Sequence, residues 1–426
     1  MFLAALVAAA PVWSARPASS QPTPLEPGDA AAWIELGEAH RSALEMPDAI
    51  AAFRKALQLR PDHELAQLGL AECYRQLSNF DEAKRLLRAA AEAHPGSPAP
   101  LLAMGRIDIQ LQKHDAAEIP LRAALKIDPQ NIAARVFLAS VYMARAENDA
   151  ALQELDRVLA QEPANALARH LRASIYAERN DVAKALPDAE RVVALEPANT
   201  RGRFLLASIL VRDGRCAAGA EHLEKIIAAE PQHTEAVSLL ARAYLCAGRA
   251  DEAVRVRERF AALAKGDHAQ RENRVQSDHL VRQAGEHARS GRPNEALVLL
   301  QKALEQDPTS DAVYTLIAKI QFSAGRYDVA REAVDLALKY NPYRSDALYV
   351  RGRILAKRDD LEGARESLVQ ATLVNPLDAE AFYFLGQVYL ALDKRPSAIE
   401  AFEKAVALEP GEESYARALA SAKRER

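Results

Sequence analysis

Apolar and small side chains recur along this chain on two alternating stripes. In the stretch that begins at Ala30, Trp33, Leu36, Gly37 and His40 stand at positions 4, 7, 8 and 11, and Ala49, Phe53 and Ala56 at positions 20, 24 and 27. Steps of three and four put each set on one side of a helix, so the pattern predicts two consecutive amphipathic helices. The pattern then returns: Phe382, Leu385, Gly386, Tyr389, Ala398, Phe402 and Ala405 repeat it near the far end. Prolines at 27, 61, 95, 129, 163, 197 and 231, and again at 308, 342, 376 and 410, keep a step of 34 residues. Eleven repeats of that length and nine extra residues fill 30–412, starting at Ala30, Glu64, Pro98, Ile132, Ala166, Thr200, Thr234, Ser277, Asp311, Ser345 and Ala379.

Each recurring residue type has a local reason. Gly or Ala at positions 8 and 20 (Gly37 and Ala49, Gly105 and Ala117) lets the two helices approach closely. Asp at position 18 (Asp81, Asp115, Asp149, Asp251, Asp328) lies where the second helix starts, able to cap its amides and complement its positive end. Proline at position 32 stops that helix. One hairpin cannot bury its apolar stripe alone, so neighbours must stack, with contacts mostly between adjacent repeats. The expectation is an all-α chain without a single globular core.

Trp, then Leu-Gly, then Tyr on a first helix, and Ala, Phe and Ala on a second closed by Pro, is a pattern that resembles the tetratricopeptide repeat. The first copy reads Trp33, Leu36, Gly37, His40, Ala49, Phe53, Ala56, Pro61, and the last reads Phe382, Leu385, Gly386, Tyr389, Ala398, Phe402, Ala405, Pro410. The resemblance implies a right-handed superhelical α-solenoid of helix-turn-helix repeats that binds other proteins.

The phase breaks once. The seventh repeat has Arg257 at position 24 and Lys265 where the proline belongs, and a polar stretch, 265–276, precedes the eighth. Repeats 1–7 (30–264) and repeats 8–11 (277–412) therefore read as two blocks, with 265–276 either a hinge or insertion or a lengthened second helix with a solvated tail. Residues 413–426 continue as a charged capping helix in which Tyr415 and Leu419 can cover the last repeat. At the other end, Phe2 to Trp13 is apolar, too short for a bilayer span but suited to the core of a secretory signal over 1–20, with 21–29 a Pro-rich leader. No Lys or Arg precedes that apolar run. Export to the periplasm or beyond in a bacterium, with no stable span after processing, is the first expectation; a membrane anchor or a cytoplasmic protein are the alternatives.

Composition narrows the function. The net charge of -4 offers no electrostatic footprint for nucleic acid. Ten histidines include no His-x-x-x-His pair, no phosphate loop or nucleophile elbow occurs, and the repeats leave only 29 residues before and 14 after them, too few for a catalytic domain. No catalytic residue, cofactor or metal is expected. Of three cysteines, Cys216 at position 17 of repeat 6 and Cys246 at position 13 of repeat 7 fall at one edge of a stacked array, where a disulfide can form in an oxidising compartment; otherwise they are ordinary thiols.

Positions 5, 9, 12 and 13 form a stripe that packing does not use, which in tetratricopeptide proteins lines the partner groove. In the last three repeats it carries Lys319, Phe322, Tyr349, Arg353, Lys357, Tyr383 and Gln387, aromatic anchors among cations of the kind that make binding hot spots. A groove elsewhere, around Phe204, is the other candidate, and packing of these aromatics inside the array is the competing explanation. The Lys and Asn residues of chaperone-tail clamps are missing from positions 5, 6 and 9. The resulting expectation is a protein or peptide partner held by a non-enzymatic scaffold, an assembly factor for envelope, secretion or polysaccharide-export machinery. A self-associating spacer is the alternative.

Overall fold

The computed structural model describes residues 29–424, without the side chains of 262–268 and 270. The stretch read as a signal, 1–20, and most of the leader, 21–29, lie outside the described residues. Within them are 22 α-helices and no strand, arranged as consecutive antiparallel hairpins in an α-solenoid. Each repeat contributes one hairpin, for example Ile132–Ala144 with Asn148–Gln161 in repeat 4. The small residue at position 8 does what its size suggests: a Cβ on Gly386 would fall 2.6 Å from the ring of Phe402, its partner at position 24.

Two compact units emerge. The first contains Arg60–Glu72 and Phe80–His268; the second contains 29–59, 73–79 and 269–424 of the described residues. The linear division into seven and four repeats thus needs correction, because repeat 1 groups with the C-terminal repeats. Its second helix, Met46–Leu59, packs against Leu361–Val374, and the Tyr343 hydroxyl donates to the carbonyl of Leu44.

Other details also differ from the expectation. Residues 265–276 form no loop: they run inside one helix, Ala250–Arg289, the lengthened-helix alternative, and the division between the two units falls within them, after His268. With Lys265 in place of proline nothing removes a backbone donor, and the stretch holds mostly helix-compatible residues. Arg257 is exposed, and Val256 and Phe260 pack on the repeat 6 and 7 core instead. Asp115, Asp149 and Asp328 lie in the first turn of their helices but cap no amide there; they pair with Arg145, Arg179 and Arg358 of the following repeat at 3.5, 2.7 and 2.6 Å. At the C-terminal end, Glu413–Arg424 places Tyr415 and Ala422 in apolar contact with the last repeat.

Position 4, apolar in the first and last repeats, carries arginine in repeats 4 to 6. Arg135 and Arg169 donate to the carbonyls of Pro129 and Pro163 at 2.6 and 2.7 Å, tying each first helix to the proline before it. The same arginines reach across their hairpins: Arg135 pairs with Glu154 at 2.5 Å, and Arg169 and Arg172 share Asp188, whose side chain is 4% exposed.

Candidate functional site

Repeats 4 to 7 of the first unit start their first helices in a common way. Two residues after each closing proline stand Asn131, Asn165, Asn199 and His233. Each asparagine Oδ1 accepts the amide of the third helical residue, Ala134, Ala168 or Gly202, at 2.9 Å. Each Nδ2 donates to the acid three residues earlier, Asp128, Glu162 or Glu196, at 3.0, 2.9 and 2.7 Å. His233 keeps half of this device: its Nδ1 accepts the Ala236 amide at 3.2 Å, while its ring stacks on Phe204 with centroids 5.5 Å apart. Capping of this kind satisfies amides that would otherwise be orphaned and fixes where each helix begins.

Between these four helix starts lies a groove of about 830 Å³. Its repeat 4 and 5 end is apolar, built by Ile132, Val136, Phe137 and Leu167; its repeat 6 and 7 end carries Glu196, Arg201 and Glu230. His170 stands between. Its Nδ1 is shut off from solvent and has no hydrogen-bond partner, and burial, helped by Arg201 and opposed by Glu196, holds its pKa below the ordinary 6.5. At neutral pH the groove therefore presents an uncharged imidazole. One turn further along the same helices, Ser140, Ser174 and Ser208 turn their hydroxyls back onto backbone carbonyls at 3.0, 2.9 and 2.8 Å, so only narrow side chains stand there. A groove of this size, apolar at one end and polar at the other, suits a few side chains of an extended peptide.

Most of the C-terminal residues singled out in the sequence are engaged within the protein. Tyr349 is 7% exposed, in a core cluster, and burial, followed by Glu380, raises its hydroxyl pKa. Arg353 lies over Phe322 and Phe384, each 4.5 Å from its guanidinium carbon, and donates to the Tyr349 hydroxyl at 3.2 Å. Tyr383 packs against Phe402 and the cap residue Tyr415 at 5.8 and 4.8 Å, and against Phe384 at 5.6 Å, which links it to the Tyr349 side. Lys319 pairs with Asp346 at 2.8 Å, and of the seven residues Lys357 and Gln387 are exposed. The aromatic anchors and Arg353 thus satisfy one another within the protein, through Phe384, which the position-5 stripe does not include.

Val136, His170 and Phe204 sit on that stripe. What it misses is the groove edge at positions 1, 2 and 34, whose signal in the sequence is the recurring Asn two residues after proline. Cys216 and Cys246 are joined by a disulfide with Cα atoms 5.8 Å apart, and Cys73 is buried and not disulfide-bonded. Among the described residues, His40, Glu45 and Asp48 approach as a metal site would, with His40 Nδ1 2.6 Å from Glu45 Oε2 at the first repeat's exposed turn.

The tetratricopeptide repeat family matches the sequence over 45–99, 120–175, 210–270 and 287–354, and a second match to the same repeat spans 8–64 and 349–413. The chain belongs to the tetratricopeptide repeat family. Membership implies a protein–protein interaction scaffold, and proteins of this repeat type are generally non-enzymatic. No functionally curated protein matches the chain. Among solved structures, it is similar to the APC/C hetero-tetramer Cut9-Hcn1 (14% identity, 92% of this chain and 96% of that one, TM-score 0.33). It is also similar to YrrB, a repeat protein with an unusual peptide-binding site (23%, 41% and 90%, 0.33), and to a repeat protein of Parabacteroides merdae (16%, 67% and 96%, 0.38). No described helix of this tetratricopeptide repeat protein is long and apolar enough to cross a membrane.

Proposed function

We propose that this protein is an adaptor that holds an extended segment of a partner protein in the groove of repeats 4 to 7. The observation that carries the reading is the groove of about 830 Å³ between four consecutive capped helix starts, apolar at one end. Internal packing of Tyr349, Arg353 and Tyr383 favours this groove over the C-terminal stripe. The test is selection of a random 12-residue peptide display library on the purified protein. Selected peptides are expected to lose at least about tenfold in affinity with Leu167→Glu, and to keep it with Lys357→Glu and Gln387→Glu. Equal binding to Leu167→Glu, or loss only with the C-terminal variants, overturns the assignment.

The setting belongs to the same proposal: an exported protein that assists assembly of envelope, secretion or polysaccharide-export machinery. Supporting it are the short apolar run at the N-terminus and the Cys216–Cys246 bridge, a bond that persists in oxidising compartments. Sequencing the N-terminus of the mature protein from cell envelopes is expected to start near Gln21; an intact Met1 contradicts export.

A further inference from the structure

The bridge between repeats 6 and 7 is chemically lopsided. Cys216 is the first residue of the helix Cys216–Ala229 and is 3% exposed, its Sγ 3.7 Å from the carbonyl oxygen of Val211. Cys246 ends the helix Thr234–Cys246 and is exposed. An external thiolate must approach the sulfur it attacks in line with the S–S bond, and only Cys246 offers that access. Attack there sends the bonding electrons to Cys216. Its helix opens without a side-chain cap, so the developing thiolate meets the positive helix end. Arg215, next to it, adds little, because its Nε is held by Asp213 at 2.6 Å. A leaving sulfur stabilised as thiolate makes exchange faster.

We propose that Cys216–Cys246 is an exchange site for dithiol reductants, entered at Cys246, that clamps and releases repeat 7 against repeat 6. The first thiolate forms a mixed disulfide with Cys246 Sγ and expels Cys216 as thiolate. The second thiol of the reductant then attacks its own sulfur in that mixed disulfide and expels Cys246. The reductant ends as a disulfide, the bridge has gained two electrons, and the two cysteines take up two protons. What the release frees is the far end of the helix that begins beside His233. That helix rises about 18 Å between its ends at 1.5 Å per residue, so its alignment sets one end of the groove. Only this last consequence rests on the groove as the partner site; the exchange does not.

Oxidised full-length protein is incubated without denaturant in dithiothreitol, or in glutathione to trap the first adduct, then quenched in acid and mapped by peptide mass spectrometry. Cys73, fully buried and unbridged, reports whether the protein stays folded. The expected result is release of both bridge thiols while Cys73 stays protected, with glutathione on Cys246 outnumbering that on Cys216 by at least about tenfold. Hydrogen exchange is expected to quicken in Thr234–Cys246 and to stay unchanged in Ala166–Glu178, both on reduction and in the double variant Cys216→Ser, Cys246→Ser. Opening only when Cys73 also reacts, or adducts shared equally, overturns the exchange site. Unchanged exchange in Thr234–Cys246 overturns the clamp. A selected peptide that binds oxidised and reduced protein equally overturns the link to the groove, whereas no selected peptide at all overturns the groove itself and leaves the thiol results standing.

Discussion

Position 15 of every repeat holds a left-handed residue, the turn between the two helices. Glycine fills it at Gly214, Gly248, Gly291 and Gly325, but Leu44, Ser78, Gln112, Ala146, Asn180, Asp359 and Asp393 adopt φ between 57° and 64° there. A side chain in that region costs about 1 kcal/mol or more, so Ala146→Gly is expected to stabilise the protein by about 0.5 to 1 kcal/mol in urea unfolding. The glycine loses more freedom on folding, which keeps the gain small. Asp188 argues the opposite case: removing it leaves Arg169 and Arg172 facing a poorly solvated gap, and Asp188→Ala is expected to cost about 2 to 4 kcal/mol. His170 and His222 both have pKa values lowered mainly by burial. The unfolded chain therefore binds more protons than the folded one once pH falls through 6.5, and stability declines until the lowered folded-state values are passed. Unfolding midpoints from pH 7.5 to 5 are expected to fall, less steeply in His170→Asn. At this scale the sequence was readable where size decides, as with Gly386 against Phe402, and silent where conformation decides, since six different kinds of side chain share one turn.

Helices are where periodicity speaks most clearly, and their register, hairpin pairing and proline stops follow from it. The exceptions have physical reasons. The helix Ala250–Arg289 continues through 265–276 because only proline ends these helices sharply, and the seventh repeat lacks it. Asp115, Asp149 and Asp328 reach into the next repeat rather than capping their own, because each finds an arginine presented there. The bridge between Cys216–Ala229 and Thr234–Cys246 closes a span of 30 residues, for which loop entropy gives about 3 to 4 kcal/mol. Reduced protein is expected to unfold at correspondingly lower urea concentration, a loss that Cys73→Ser does not reproduce; equal midpoints for oxidised and reduced protein would refute it.

For the molecule as a whole, the sequence conveyed stacking without a single core, but not which distant repeats meet, because contacts such as that of Met46–Leu59 with Leu361–Val374 leave no periodic trace. The candidate groove was half legible: Val136 and His170 were visible at position 5, whereas the Asn131, Asn165 and Asn199 caps gain meaning only when neighbouring repeats bring them side by side. Aromatic content misled at the C-terminal end, where Tyr349, Phe384 and Arg353 complete one another. The central claim is that a partner segment lies in the groove of repeats 4 to 7, and its most direct test is site-specific photocrosslinking. A photoreactive residue placed at Leu167, or for comparison at Gln387, is irradiated with a peptide selected on the protein. The account predicts a covalent adduct at 167 and none at 387, lost on competition with unlabelled peptide; an adduct at 387 alone, or an adduct at 167 that competitor leaves intact, would contradict it.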